Sequence, residues 1–142
     1  MYTTILYAAD FDEVGENAAK KAALLAKENN AKLHMVHVIE PIPAYAYPGL
    51  ASFSNIEASI KQQAEKSLLE MSEQVGVDKD CAHLALGSTK HEVLRLADEL
   101  SADLILVGSH GKHGMQLILG STATAILHGA HCDVLVVRND KK

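Results

Sequence analysis

The feature that most constrains the fold of this chain is an alternation of five short apolar runs with longer segments of helical periodicity. Each apolar run is a candidate strand, because it is short and is bounded by polar or turn-forming residues. Five strands that alternate with helices predict an α/β fold. We expect a single doubly wound, Rossmann-like domain over residues 1–142, whose five-stranded parallel sheet carries helices on both faces. The predicted strands are 3–9, 32–39, 81–86, 103–107 and 133–137.

The intervening segments repeat their apolar residues every three or four positions, which predicts helices over 15–30, 56–75, 93–100 and 123–130. Gly76 ends the second of these helices. A loop over 40–53 holds all three prolines and is long for a compact domain. We weigh two interpretations of this loop, a lid over a ligand and an ordinary surface crossing, and favour the surface crossing.

Composition narrows the class of protein. The 142 residues suit one domain, and 48% of them are hydrophobic while Trp is absent, so the core is expected to consist of Leu, Val, Ile and Ala. The 18 acidic residues exceed the 13 basic ones and give a net charge of −5, which argues against a nucleic-acid partner. Neither a signal peptide nor a membrane-length apolar run is evident, so we expect a cytoplasmic protein with no membrane partner.

Ligands of open α/β sheets bind beyond the carboxyl ends of the strands, where the strand order reverses. The loop after strand 1 begins Asp10-Phe11-Asp12-Glu13, and its three carboxylates would repel a dinucleotide pyrophosphate or a flavin phosphate. A response-regulator receiver also uses acids here, but it needs an Asp after strand 3 and a Lys after strand 5. Leu86-Gly87-Ser88 and Arg138 stand there instead, so we reject a receiver.

The loop after strand 4 has the opposite character. It carries Gly108, His110 and Gly111, then reaches Gly120-Ser121-Thr122 at the start of the last helix. Glycine lets backbone approach a ligand closely, and the free amides of a helix N-terminus favour a phosphate group. Lys112 and His113 add basic side chains. The alternative is that the glycines shape a turn and Ser121 caps a helix; the whole set at the carboxyl end of strand 4 favours the phosphate site.

With these residues in view, the whole chain resembles the universal stress protein family. The resemblance rests on Asp10 closing strand 1, His37-Val38-Ile39 closing strand 2, Gly87 closing strand 3, and the glycine loop. Nucleotide-binding members of the family carry Gly, two residues, Gly, nine residues, then Gly with Ser or Thr. This chain keeps the glycines but has eight residues between Gly111 and Gly120.

The resemblance implies an adenine-nucleotide site. Ala8, Asp10 and Val38 would line the adenine and ribose side. The phosphate side would comprise Val107, Gly108, Gly111, Gly120, Ser121 and Thr122. The ligand would be ATP, ADP or AMP. Independently of the resemblance, His110 can add positive charge at the phosphate side, and Asp10 or Asp12 could help to hold magnesium. The family also implies stress regulation without a defined reaction, a homodimer through the last strand, and a protein partner that the sequence does not name.

Two alternatives stay open at this point. The same site could support weak ATP hydrolysis or phosphotransfer, although no residue is assigned a catalytic role. The chain could also be a nucleotide-free interaction protein in which the glycine loop is only a turn. The spacings His110/His113 and His128/His131, the second pair followed by Cys132, are compatible with metal binding, but nothing brings the pairs together, so no metal site is assigned.

The homodimer also has support from the residues themselves. The apolar stretch Val134–Val137 lies only a few residues before the last residue of the sequence, and we expect no further element to cover it. An uncovered edge strand exposes unpaired backbone groups, which a second copy can satisfy by antiparallel pairing across a two-fold axis. We therefore expect strand 5 to form the dimer interface.

Overall fold

The computed structural model describes residues 1–10, 13–43, 50–109 and 120–138, and within the first two helices it describes side chains from residues 15 and 55 onward. The strands are β1 (Thr4–Ala8), β2 (Lys32–Ile39), β3 (Ala82–Leu86), β4 (Leu104–Gly108) and β5 (Asp133–Val137). The helices are α1 (Glu13–Asn29), α2 (Leu50–Val75), α3 (Thr89–Leu100) and α4 (Ser121–Gly129). The five strands form one parallel sheet with the order β3-β2-β1-β4-β5, which confirms the predicted fold class.

The strand order creates a switch point beside β1. The chain first builds outward from β1 to β2 and β3, and then returns to the other side of β1 to add β4 and β5. In register, Tyr7 of β1 is flanked by Met35 of β2 and Leu106 of β4. The connections that leave β1 and β4 therefore diverge to opposite faces, and a crevice opens between them at the carboxyl edge.

Both faces of the three central strands β2, β1 and β4 are largely buried, which explains their nearly continuous apolar sequences. Alternate residues of the central strands pack into two separate clusters. Tyr7, Met35 and Leu106 share one cluster with residues of α1 and α2. Leu6, Val36 and Ile105 share the other with residues of α3 and α4. The sheet is therefore the middle layer of three, and the carboxyl edge is where its two covering layers separate.

Several predicted boundaries were wrong by a few residues. The helix predicted from residue 56 begins at Leu50, so residues 50–53 belong to α2 and not to a loop. The reason is that the helix breakers of this segment stop at Gly49, and the stretch from Leu50 to Val75 contains neither Pro nor Gly. Residues 44–49 of the predicted loop lie outside the described residues.

Other corrections are smaller. Cys81 belongs to a short 3₁₀ turn, Lys79–Cys81, which precedes β3. The helices α3 and α4 begin at Thr89 and Ser121, several residues before their first apolar periodic positions, because their first turns are polar. Among the helices of the described residues, none has the length and apolar character that a membrane crossing requires.

Candidate functional site

A cavity of about 620 Å³ opens at the carboxyl edge, where the ends of β1, β2 and β4 meet the first turns of α3 and α4. Of the ten residues predicted to bind a nucleotide, the eight that the structure describes all line this cavity. They are Ala8, Asp10, Val38, Val107, Gly108, Gly120, Ser121 and Thr122. His110 and Gly111, the other two, lie outside the described residues.

The floor of the cavity is apolar. Val38 and Val107 are buried on the sheet face that α3 and α4 cover. Val93 from α3 and Ile126 from α4 belong to the same cluster and also line the cavity. An apolar floor near the ends of β2 and β4 suits a planar ring, whose burial is favourable in proportion to the apolar area removed from water.

A close approach of α1 positions Asp10 at the cavity. A Cβ atom at Gly15 would lie 1.8 Å from the carbonyl oxygen of Asp10, so only glycine allows the helix to pass here. The hydroxyl of Tyr7 donates a hydrogen bond to the carbonyl oxygen of Gly15 at 2.7 Å. The buried Tyr7 thus fixes α1 to the sheet. Ala9 and Asp10, which follow β1, lie at the cavity wall.

His37 supports the same segment from β2. Its Nδ1 lies 3.0 Å from the carbonyl oxygen of Ala9. Because a carbonyl oxygen can only accept, Nδ1 must carry the proton in this contact. The amide of Ala9 in turn donates to the carbonyl oxygen of Val36 at 2.7 Å, which extends the β1–β2 ladder to the cavity rim. His37 itself lines the cavity.

The N-terminus of α4 forms one end of the cavity. The amide of Gly120 donates to the carbonyl oxygen of Ser109 at 2.6 Å, and the amide of Ser109 donates to Val137 at 2.9 Å, so the helix start is fixed to the ends of β4 and β5. No side chain of the described residues caps this helix, and its first turn contains no acidic residue. Ser121 and Thr122 are exposed there. This end of the cavity therefore combines positive helix-dipole potential with two hydroxyl groups.

Gly120 has an ordinary extended backbone, with φ −61° and ψ 153°. Any residue can adopt this conformation, so the backbone does not require glycine here. Glycine at this position adds no side chain beside the first amides of α4. That is the situation expected where an anion approaches a helix N-terminus closely.

The N-terminus of α3 forms another part of the cavity wall and is already occupied. Glu40, the residue after β2, accepts two hydrogen bonds on Oε2, from the amide of Thr89 at 3.1 Å and from its Oγ1 at 3.0 Å. Ser88 stands at the N-cap position but makes no side-chain capping bond. Glu40, which follows β2, therefore caps the N-terminus of α3 in place of Ser88. Both Glu40 and Thr89 line the cavity.

Sequence reasoning missed several residues that line or support this cavity. They are Tyr7, Gly15, His37, Glu40, Thr89 and Ser109. A signal existed for Glu40 and Thr89, since each is the first polar side chain after a strand or at the start of a helix on the carboxyl edge. Nothing in the sequence pairs them, because they are 49 positions apart and meet only through the β2–β3 pairing.

The second histidine pair, His128 and His131, belongs to the described residues. His131 contacts Asp98 on α3, with its Nδ1 3.3 Å from Oδ1 of Asp98. Within the described residues, no three His, Cys, Asp or Glu side chains come together in a way that could hold a metal ion. His110 and His113 lie outside those residues.

The strand order and the cavity define an open α/β protein whose ligand site is expected at the topological switch point. A sequence model described as the universal stress protein family matches residues 1–138, which is nearly the whole chain. The chain belongs to the universal stress protein family.

Relatives of this chain support the same assignment. Universal stress protein A homolog 1 of Coxiella burnetii is 45% identical over 139 residues, which cover 96% of each chain. The solved structure of the hypothetical protein MJ0577 superposes with a TM-score of 0.83 at 25% identity, covering 100% of this chain and 99% of that one. A universal stress protein solved in complex with cAMP superposes with a TM-score of 0.67 at 23% identity, covering 96% and 97%; this likeness shows the fold.

Proposed function

We propose that this protein binds an adenine nucleotide (ATP, ADP or AMP) in the cavity at the carboxyl edge and acts as a regulatory protein of the stress response. The observation that carries the proposal is the cavity itself, which collects all eight described residues that the nucleotide hypothesis had selected. Those residues come from four separate elements, and they meet only because β1 and β4 are neighbours at the switch point.

The chemistry of the cavity changes along its length in the way that a nucleotide requires. Gly120, Ser121 and Thr122 supply amides and hydroxyls for phosphate at the α4 end. Val38 lies on β2, which is two strand spacings from β4, or about 10 Å. The apolar floor spans this distance, so a nucleoside can lie flat across β1 while its 5′-phosphate reaches α4.

A related complex supports the choice of base. The family member solved with cAMP holds an adenine nucleotide on the same fold. Since that protein is 23% identical to this chain, the proposal here depends on the residues of this cavity. ATP, ADP and AMP share the adenosine and the 5′-phosphate that these residues would contact.

The proposal further includes a homodimer that pairs β5 with its copy, and a cytoplasmic location where adenine nucleotides are available. The regulatory role is part of this proposal, and no residue of the cavity is assigned a catalytic role.

The direct test has two steps. Protein purified without added nucleotide is extracted with acid, and the extract is separated by anion-exchange chromatography to identify bound adenine nucleotides. The stripped protein is then titrated with ATP, ADP and AMP by calorimetry, with GTP as the control for the base.

Binding of at least one adenine nucleotide and weaker binding of GTP support the proposal. If the stripped protein binds none of them, the proposal is wrong and an interaction protein becomes the better hypothesis. Release of ADP on incubation with ATP and magnesium would point instead to the weak ATPase.

A further inference from the structure

We propose that Glu40 determines which nucleotides the cavity accepts, by closing the N-terminus of α3 to phosphate groups. The cavity then accepts a nucleotide whose phosphates all lie at the α4 end and discriminates against one that carries a second phosphate on its ribose. The inference rests on the proposed nucleotide site and adds a specificity determinant to it.

The first observation behind this proposal is the pair of hydrogen bonds that Glu40 accepts at the N-terminus of α3. Two helices, α3 and α4, begin at the wall of the same cavity, and an uncapped helix N-terminus attracts anions. At α3 the anion is supplied by the protein, because Oε2 of Glu40 accepts both the amide and the hydroxyl of Thr89. At α4 no described side chain takes that place. Among the described residues, the N-terminus of α4 is therefore the helix start that remains open to the phosphate of a ligand.

The second observation is the position of two carboxylates along the cavity. Asp10 and Glu40 both line the cavity and follow the ends of the neighbouring strands β1 and β2. The side of the cavity away from α4 is therefore acidic, whereas the first turn of α4 is not. A nucleoside with its 5′-phosphate at α4 directs its ribose toward this acidic side. Free ribose hydroxyls can donate to carboxylates, but a phosphate in their place would be repelled.

An isomeric pair of ligands isolates this effect. ADP and adenosine 3′,5′-bisphosphate contain the same adenosine and two phosphate groups, and they differ in whether both phosphates lie at the 5′ end. A uniform attraction of the protein for phosphate would not favour ADP, because the bisphosphate, with two phosphomonoester groups, carries at least as much negative charge. A site that is closed to anions at its acidic side would bind ADP more tightly.

The variant Glu40→Gln tests the role of the charge. The amide of Gln keeps an oxygen that can accept from Thr89, but it removes the negative charge. Glu57→Gln, on the exposed part of α2, removes an equal charge away from the cavity and is the matched control. Dissociation constants for both ligands are measured by calorimetry at low and at high salt, and circular dichroism checks that each variant is folded.

We expect the unmodified protein to prefer ADP, and we expect Glu40→Gln to reduce that preference by about threefold to tenfold, as suits a solvent-exposed charge. The preference of the unmodified protein should also shrink as salt rises, a measurement that needs no variant. Glu57→Gln should keep the full preference for ADP.

If ADP binds but Glu40→Gln shows the same preference as the unmodified protein, or the preference does not change with salt, the specificity role of Glu40 is wrong and the nucleotide site stands. If the unmodified protein binds no adenine nucleotide, both proposals are wrong.

Discussion

The imidazoles of His34 and His83 stack across the β2–β3 pair, with Nδ1 of His34 3.0 Å from Nε2 of His83. Such a contact needs one nitrogen that carries a proton and one with a free electron pair. It survives protonation of one ring and is lost when both rings are protonated. Burial is the main cause that lowers the pKa of His34, followed by the nearby His83 and Lys32, and burial also lowers the pKa of His83.

The first prediction is that this pair makes stability sensitive to acid. Both histidines have a pKa below their ordinary value of 6.5 in the folded protein, so the folded state binds fewer protons than the unfolded chain. The stabilising contribution is therefore complete above pH 6.5 and decreases as pH falls from there through the lowered pKa values. We expect the free energy of unfolding, measured with urea, to fall as the pH decreases below about 6.5.

Two variants assign that effect to the pair. His83→Gln removes the partially exposed ring on the edge strand and should flatten the dependence of unfolding free energy on pH. His91→Gln, which removes an exposed histidine from α3, should leave the slope as it is in the unmodified protein. Equal slopes in His83→Gln and the unmodified protein would contradict the prediction.

The second prediction concerns the close packing of α1 on the segment after β1. Gly15→Ala places a Cβ atom 1.8 Å from the carbonyl oxygen of Asp10, so the helix or the segment must move. We expect a loss of about 1–3 kcal/mol in unfolding free energy, which is typical of overpacking. Nucleotide binding should weaken as well, because Asp10 moves with its backbone. Thermal unfolding and calorimetric titration measure the two effects.

The third prediction concerns Gly108, where, in contrast to Gly15, the structure has room for a side chain. A Cβ atom at Gly108 meets no atom within 4 Å in the described structure, although the residue lines the cavity. Gly108→Ala should therefore change stability by no more than about 0.5 kcal/mol. If a nucleotide lies against this backbone, the same variant should bind it several-fold more weakly. Full affinity in Gly108→Ala would show that no ligand atom approaches this glycine.

The fold was predictable from the sequence because each of its parts has a local signal. The runs at residues 32–39 and 133–137 were predicted with the bounds that the structure has. The periodic stripes located every helix, although polar first turns hid the true starts of α3 and α4. Tertiary packing, and not propensity alone, decides where such helices begin.

The candidate site was predictable in its main residues but not in the contacts that support them, since the two depend on different kinds of information. The phosphate end lies in one continuous stretch, where Gly108 and Gly120-Ser121-Thr122 carry recognisable chemistry. The acidic side depends on Glu40 meeting Thr89 and on Gly15 passing the backbone of Asp10. These are relations between distant or backbone atoms, and a single sequence contains no local pattern that specifies them.

The fourth prediction concerns the phosphate end. Gly120→Val adds a side chain beside the first amides of α4 at a position whose extended backbone accepts valine. We expect a folded protein that no longer binds ATP. Ser121→Ala removes one hydroxyl that lines the cavity and should weaken binding by about 0.5–1.5 kcal/mol, or up to about 3 kcal/mol if the hydroxyl contacts a charged phosphate oxygen. Calorimetry with ATP measures both; unchanged affinity in Gly120→Val would exclude phosphate from this helix start.

The fifth prediction is that β5 forms the dimer interface. The sheet order places β5 at one edge and β3 at the other, so within the described residues both strands have one side without a neighbouring strand. Val136 packs on the cluster that α3 and α4 cover, whereas Leu135 points away from that cluster and is 40% exposed. A lysine at position 136 would therefore disturb the core, which makes Leu135→Lys the sharper variant.

Antiparallel pairing of two β5 strands brings the middle of one strand close to the middle of its copy, so two lysines at position 135 would repel each other. We expect the unmodified protein to be dimeric at micromolar concentration in multi-angle light scattering, and Leu135→Lys to be a folded monomer. Leu86→Lys is the matched control, because Leu86 ends the opposite edge strand and is 58% exposed. It should leave the dimer intact. A dimer that survives Leu135→Lys but dissociates in Leu86→Lys would place the interface on β3, and a monomeric unmodified protein would contradict the dimer itself.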